Sequence, residues 1–123
     1  MTGSCYGNLA SDGRLIQTVE LPNANFGIRA DGTLVAGYLS QDDAASPVHP
    51  FAQLVSGVVW LVRDGVNYVQ QSRSVEYAGV EETGSLDLFT AVLAARSAVG
   101  FDKDGVVYLV QVDGHTFYRG LGE

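Results

Sequence analysis

Among 123 residues there is one cysteine, Cys5, and there are seven lysines and arginines, and each scarcity removes a class of protein. A single cysteine cannot close a disulfide within the chain or supply a cysteine-pair zinc site. Cys5 is therefore either a buried thiol or half of a disulfide whose partner lies outside these residues. Seven bases against fourteen acids leave a net charge of −7, and the bases are scattered. Nucleic acid and anionic membrane surfaces are repelled by such a chain unless a local basic patch overcomes its field, and no patch is present. There is no run of about 18 apolar residues, the length a membrane-spanning helix needs. Met1 to Leu15 has neither the basic nor the apolar region of a secretory signal, and no Asn-x-Ser/Thr acceptor occurs.

The signatures of stand-alone catalysts are missing as well. The chain has no Walker loop, no Gly-x-Ser-x-Gly elbow and no His-Glu-x-x-His. His49 and His115 have no metal-ligand spacing, so the sequence assigns no metal and no cofactor. Of the adjacent acids, Asp42 with Asp43, Glu81 with Glu82 and Asp102 with Asp104, none stands out from an ordinary solvated loop or turn as the carboxylate pair of a glycosidase.

What is present is a globular composition, 46% hydrophobic and 17% charged, at the size of one domain or part of one. The dipeptide Asp-Gly occurs five times, at Asp12, Asp31, Asp64, Asp104 and Asp113. It suits the positive φ angles of tight hairpin turns, and most copies lie between short apolar or alternating runs. The expected class is α+β, mainly antiparallel β hairpins with few short helices. Strands are expected over Leu15 to Leu21, Asn25 to Ile28, Thr33 to Leu39, Val58 to Val62, Val66 to Val69, Ser97 to Phe101 and Val106 to Val112. The run Val58 to Val62 is continuously apolar, which predicts a strand covered on both faces. Pro50 to Val55 and Ser85 to Ala94 are helix candidates, and Gln41 to Pro50 and Ser72 to Gly84 read as surface loops.

Arg96 is the most pointed chemical feature. It stands in the nearly uncharged stretch Ala94-Ala95-Arg96-Ser97-Ala98-Val99-Gly100, where a guanidinium needs an anionic partner. A phosphate or carboxylate ligand suits its fork. A buried acid, or an outward-pointing side chain, would serve as well.

Several segments in this order resemble the phosphodiester glycosidase family, in particular its animal secretory branch. They are Cys5-Tyr6-Gly7-Asn8, Ser11-Asp12-Gly13-Arg14-Leu15, Asn23-Ala24-Asn25-Phe26-Gly27-Ile28-Arg29 and Asp31 to Ser40. The series runs on through Pro50-Phe51, Leu54 to Arg63, Glu82-Thr83-Gly84-Ser85, Ala95 to Gly100, Asp113-Gly114 and Arg119-Gly120-Leu121. The resemblance spans nearly the whole chain, so residues 1–123 are expected to be a partial phosphodiester glycosidase domain. The Arg-Thr element of the wider family is Arg96-Ser97 here, which keeps the hydroxyl and loses the methyl.

The resemblance implies a hydrolase that cleaves between the anomeric carbon of N-acetylglucosamine and phosphate. Such an enzyme exposes mannose 6-phosphate on the phosphorylated high-mannose glycans of lysosomal enzymes, in the trans-Golgi. It implies Arg96 and Ser97 as catalytic residues, Asn8 and Asn23 as sugar contacts, and Cys5 as half of a disulfide with a partner outside the chain. The family's upstream Gly-rich segment and downstream Asn-Leu-Asp-Gly-Gly-Gly-Ser element, like the membrane anchor of its animal members, are not among these residues. The expectation is an internal catalytic-domain piece that is inactive alone. The alternatives are an inactive or glycan-binding β-rich module, and an unrelated β-sandwich of purely structural duty.

Overall fold

Tight turns set the architecture. The computed structural model describes residues 7–19, 23–75, 90–91 and 94–114. Within them, β1 (Leu9–Ser11) turns into β2 (Arg14–Gln17) through Asp12-Gly13, and β3 (Asn25–Arg29) turns into β4 (Leu34–Gly37) through Asp31-Gly32. Asp12 adopts φ 51° and Gly13 φ 78°, the left-handed pair that a two-residue hairpin requires. At the second turn the Asp31 carboxylate accepts from the Thr33 N–H at 2.9 Å, the local bond that favours aspartate there.

The two hairpins are joined by β5 (Phe51–Ser56), which pairs antiparallel with β1 on one side and β3 on the other. The result is a five-stranded antiparallel sheet in the order β2-β1-β5-β3-β4. This corrects the helix expected over Pro50 to Val55. Pro50 does not open a helix; its carbonyl accepts from the Ala30 N–H at 2.8 Å and feeds the chain into the sheet centre.

The core of this unit is small. Ala10, Ala44, Phe51 and Leu54 are buried together, with Val35 and Leu39 packed against them. Gly27 lies opposite Leu54. A Cβ there would sit 2.6 Å from the Phe51 ring, so the missing side chain makes room for the aromatic. The Arg29 guanidinium lies 4.2 Å above the same ring and donates to the His49 carbonyl.

Two expected loops contain helical turns. The short helix α1 (Gln41–Ala44) is capped by Ser40, whose hydroxyl accepts from the Asp43 N–H at 3.1 Å, and it carries Ala44 into the core. Asp42 and Asp43 fill its first turn, where carboxylates favour the helix N-terminus. Ser72, expected to open a surface loop, is instead fully buried within α2 (Val69–Val75). The rest of that loop, residues 76–84, lies outside the described residues, as do 85–89 and 92–93 of the candidate helix Ser85 to Ala94.

The doubly covered strand expected over Val58 to Val62 does not form. Only Val62–Arg63 is extended as β6, paired with β7 (Val66–Asn67) through the Asp64-Gly65 turn, and Leu61 and Val62 are exposed. The backbone leaves the sheet after Ser56, and Trp60 N–H donates to the buried Ser72 hydroxyl at 2.9 Å rather than to a strand.

The chain divides into two compact units, Met1–Val80 and Glu81–Glu123. Described by itself, the second is a ribbon of β8 (Arg96–Phe101) and β9 (Val107–Val112), in register from Arg96 opposite Val112 to Phe101 opposite Val107. The fifth Asp-Gly pair is not at a turn. A Cβ on Gly114 would lie 2.6 Å from the Ala95 nitrogen, so glycine there allows backbones to meet past the end of the ribbon. The described residues are thus mostly antiparallel β-sheet with short helices, and none of their helices is long and apolar enough to cross a membrane.

Candidate functional site

Asparagines collect where β3, β5 and the segment before β1 meet. Asn8, Asn23 and Asn25 are each less than a tenth exposed. Burying amides is costly unless their bonds are met. Asn25 meets this fully. Its Nδ2 donates to the carbonyls of Asn23 at 2.9 Å and Gly37 at 3.0 Å, and its Oδ1 accepts from Asn8 Nδ2 at 3.1 Å and from the Ser56 hydroxyl at 2.7 Å. Two carbonyl acceptors on one side and two donors on the other fix which way the amide faces. Ser56 closes the circuit by accepting from the Asn8 N–H at 2.7 Å.

Asn8 reaches further, its Oδ1 accepting from the Val19 N–H at 2.9 Å, while Gln17 Nε2 donates to the Gly7 carbonyl at 2.8 Å. The network therefore clamps the segments around residues 7–8 and 17–19 to the sheet centre. Asn8 and Asn23 are brought together through Asn25, and the hydrogen bonds of the Asn8 amide run to protein.

Asn25 and Ser56 were not singled out by sequence. The available signal was a polar residue at the start of a strand, between Asn23 and an Asp-Gly hairpin, which pattern reading treats as a solvent-facing position. Only the register, which sets Asn25 between Gly37 and Ser56, reveals its burial.

In the second unit, Arg96 opens β8, half-buried, with Val112 directly across the ribbon. Successive strand residues point to opposite faces. Arg96 thus shares a face with Ala98 and with Val110 and Val112 across the ribbon, an apolar surround for a guanidinium. Ser97 is exposed on the other face, opposite Gln111 and beside Val99. The two adjacent residues do not converge through their side chains, so only Arg96 or the Ser97 backbone can address a ligand on the first face.

Cys5 lies outside the described residues, as does His115. Among the described residues no group of three or more His, Cys, Asp or Glu could hold a metal ion. The chemical resources are therefore a satisfied amide network in one unit and an arginine on an apolar ribbon face in the other.

Comparison with known proteins places these features. The family described as phosphodiester glycosidase matches residues 1–122. The chain is 51% identical over 121 residues to the N-acetylglucosamine-1-phosphodiester alpha-N-acetylglucosaminidase of Mus musculus, covering 98% of this chain and 23% of that protein. The Homo sapiens counterpart is 46% identical over 121 residues, with 24% of its length covered. A solved structure of the zebrafish enzyme's catalytic domain, auto-inhibited by its pro-peptide, is similar at a TM-score of 0.82 and 51% identity. That match covers 92% of this chain and 37% of the zebrafish chain. The chain thus spans about a quarter of the length of the curated relatives it matches.

Proposed function

From the premise that this chain belongs to the phosphodiester glycosidase family, we propose that it forms part of the catalytic domain of a hydrolase acting on N-acetylglucosamine phosphodiesters. The substrate would be a phosphorylated high-mannose glycan of a lysosomal enzyme, met in the trans-Golgi, and the product an uncovered mannose 6-phosphate. The match of 51% identity across 98% of the chain to a relative named for this activity carries the reading. The proposed class remains α+β for the whole domain, with these strands contributing the antiparallel part.

Arg96 is proposed to hold the phosphodiester. A guanidinium offers two parallel N–H groups to phosphate oxygens. As the glycosidic bond breaks, charge gathers on the departing phosphate, where a fixed cation stabilises it. A phosphomonoester is a good leaving group, so orientation and anion stabilisation carry more of the barrier than proton donation. Ser97 is proposed to contribute through its backbone beside Arg96, since its hydroxyl lies on the opposite ribbon face. Asn23 is the proposed sugar contact, and Asn8 acts through Asn25 by holding the segment in place. Cys5 is proposed to pair outside the chain.

The test is a chimera of the mouse relative carrying this chain in the matching segment, assayed on a synthetic N-acetylglucosamine phosphodiester beside the chain alone. The chimera is expected to release N-acetylglucosamine, with Arg96→Ala lowering kcat/KM by roughly 100-fold or more, the size typical of losing one preorganised charge-stabilising donor. A folded chimera without turnover, or one indifferent to Arg96→Ala, would overturn the reading.

A further inference from the structure

The five Asp-Gly pairs are five copies of one reactive dipeptide, and the fold does not treat them alike. Glycine has no side chain to shield its backbone nitrogen, so that nitrogen can reach the carboxyl carbon of the preceding aspartate once the turn between them opens. A hydrogen bond from the glycine N–H, or one to the aspartate carboxyl, must be broken first and slows the approach. The turns at Asp12-Gly13 and Asp64-Gly65 make a controlled comparison, because their backbones are nearly the same: φ is 51° and 78° in the first, 52° and 78° in the second.

What holds the turns differs. Gly13 N–H donates to the Ala52 carbonyl at 2.9 Å, and the Asp12 carboxyl accepts from Gln53 Nε2 at 3.0 Å. At the second pair Gly32 N–H donates to the Arg29 carbonyl at 2.8 Å, while Asp31 accepts from the Thr33 N–H. Gly105 N–H donates to the Asp102 carbonyl at 3.0 Å, and Gly114 is buried against Ala94 and Ala95, away from water. Among the described residues neither the Asp64 carboxyl nor the Gly65 N–H has a hydrogen-bond partner. Residues 61–67 are all exposed, and a Cβ on Gly65 would meet nothing within 4 Å. The hairpin around it is also the weakest, closed by Val62 opposite Asn67 and Arg63 opposite Val66 alone, whereas β1 is backed by β5 and the β8–β9 register runs from Arg96 to Phe101. A two-stranded hairpin of that size opens readily.

We infer that Asp64-Gly65 is a covalent modification site, the place where this chain first converts aspartate to isoaspartate. The Gly65 nitrogen bonds to the Asp64 side-chain carboxyl carbon, and the N–H proton departs with a carboxyl oxygen as one water, closing a five-membered imide. Water then adds back to one of the two imide carbonyls. Addition at the side-chain carbonyl restores aspartate; addition at the main-chain carbonyl leaves the chain running through the Asp64 side chain. One water leaves and one returns, so no oxidant or reductant is needed and the mass is unchanged. The product adds a methylene to a two-residue turn, which then cannot keep Arg63 opposite Val66, and it displays a free main-chain carboxylate on an exposed tip, the group that isoaspartyl methyltransferases esterify.

The test is to age the 123-residue chain in dilute solution at neutral pH and body temperature, then map isoaspartate by methyltransferase labelling and peptide mass spectrometry. Residue 64 is expected to carry at least about fivefold more than residue 12, 31, 104 or 113, the scale of one net hydrogen bond. The same chain aged in concentrated urea should spread the modification evenly over all five pairs, because the bonds that protect the others exist only in the fold. Asp64→Glu, whose carboxyl would have to close a larger and slower ring, should remove the signal from this turn and leave the other pairs unchanged. Isoaspartate distributed evenly in the folded chain, or concentrated at another pair, would overturn the inference. So would dominance of residue 64 in urea as well, since its neighbours in sequence and not the fold would then be the cause. The readout needs no turnover, so a failure at Arg96 leaves it untouched.

Discussion

Ser56 on β5 stands directly across from Asn25 on β3, and its hydroxyl donates to the Asn25 side-chain oxygen at 2.7 Å in a place almost closed to water. Asn25→Ala would strip four hydrogen bonds and leave the Asn23 and Gly37 carbonyls without them. The expected loss is about 3 kcal/mol, since stranded buried polar groups cost more than the bonds themselves return. Ser56→Ala should cost about 1–2 kcal/mol, because Asn25 keeps its other three partners. Urea unfolding followed by Trp60 fluorescence, which reports the first unit, checks both. Equal stability of wild type and Asn25→Ala would contradict the buried network.

Gly37 is constrained twice. Its φ of 128° is one that side chains rarely adopt, and the Trp60 ring occupies the space a Cβ would need. Gly37→Ala is expected to cost about 2–4 kcal/mol, strain and overpacking together. It should also move Trp60 toward solvent, shifting its emission to the red. Gly13→Ala, with a positive φ but no atom within 4 Å, should be milder and leave the emission alone.

The turn between β8 and β9 is expected to respond to pH. The Asp102 carboxyl is held below its ordinary 3.8, first by the Val106 N–H and then by the Tyr108 hydroxyl, with the Asp104 N–H adding to them. A depressed folded-state pKa gives stability that is present above 3.8 and lost as pH falls through the lower folded value. Tyr108 shows the converse. Its hydroxyl donates to Asp102, which raises its pKa above 10.0, so that bond persists below 10 and is lost in stronger alkali. Amide exchange or NMR across the ribbon should show the turn loosening in acid. Asp102→Asn should abolish that step while leaving the Asp31 turn, whose carboxyl is lowered chiefly by the Thr33 N–H, with its own acid response.

The turns were legible in the sequence because their cause is local: Asp12 and Asp64 take positive φ with glycine next, and nothing distant need agree. β5 was not, because Phe51 to Ser56 alternates poorly and acquires its identity from β1 and β3 on either side. Val58 to Val62 misled for the same reason, since a buried hydroxyl on Ser72, in a different element, takes the Trp60 N–H away from any sheet. Arg96 was visible as a charge in an uncharged stretch. That Ser97 faces the other way is a consequence of the strand, whose pairing with Val107–Val112 the sequence also announced. Asn25 was hidden because burial of an amide depends on who stands opposite it.

The ribbon β8–β9 exposes apolar side chains on both faces, with Leu109 at 82% the extreme and Val107, Val110 and Val112 all about half exposed. Among the described residues β8 and β9 pair only with each other. Exposed apolar faces recruit other chains, and proteins that remain soluble put charge in such places. The isolated chain is therefore expected to self-associate at micromolar to millimolar concentrations. Leu109→Lys should reduce this without loss of the ribbon, because its side chain contributes little burial and Val99 opposite it is also exposed. Light scattering against concentration, with circular dichroism as the fold control, measures the effect. A chain that stays monomeric at every concentration, with Leu109→Lys no different, would show that these faces are not adhesive.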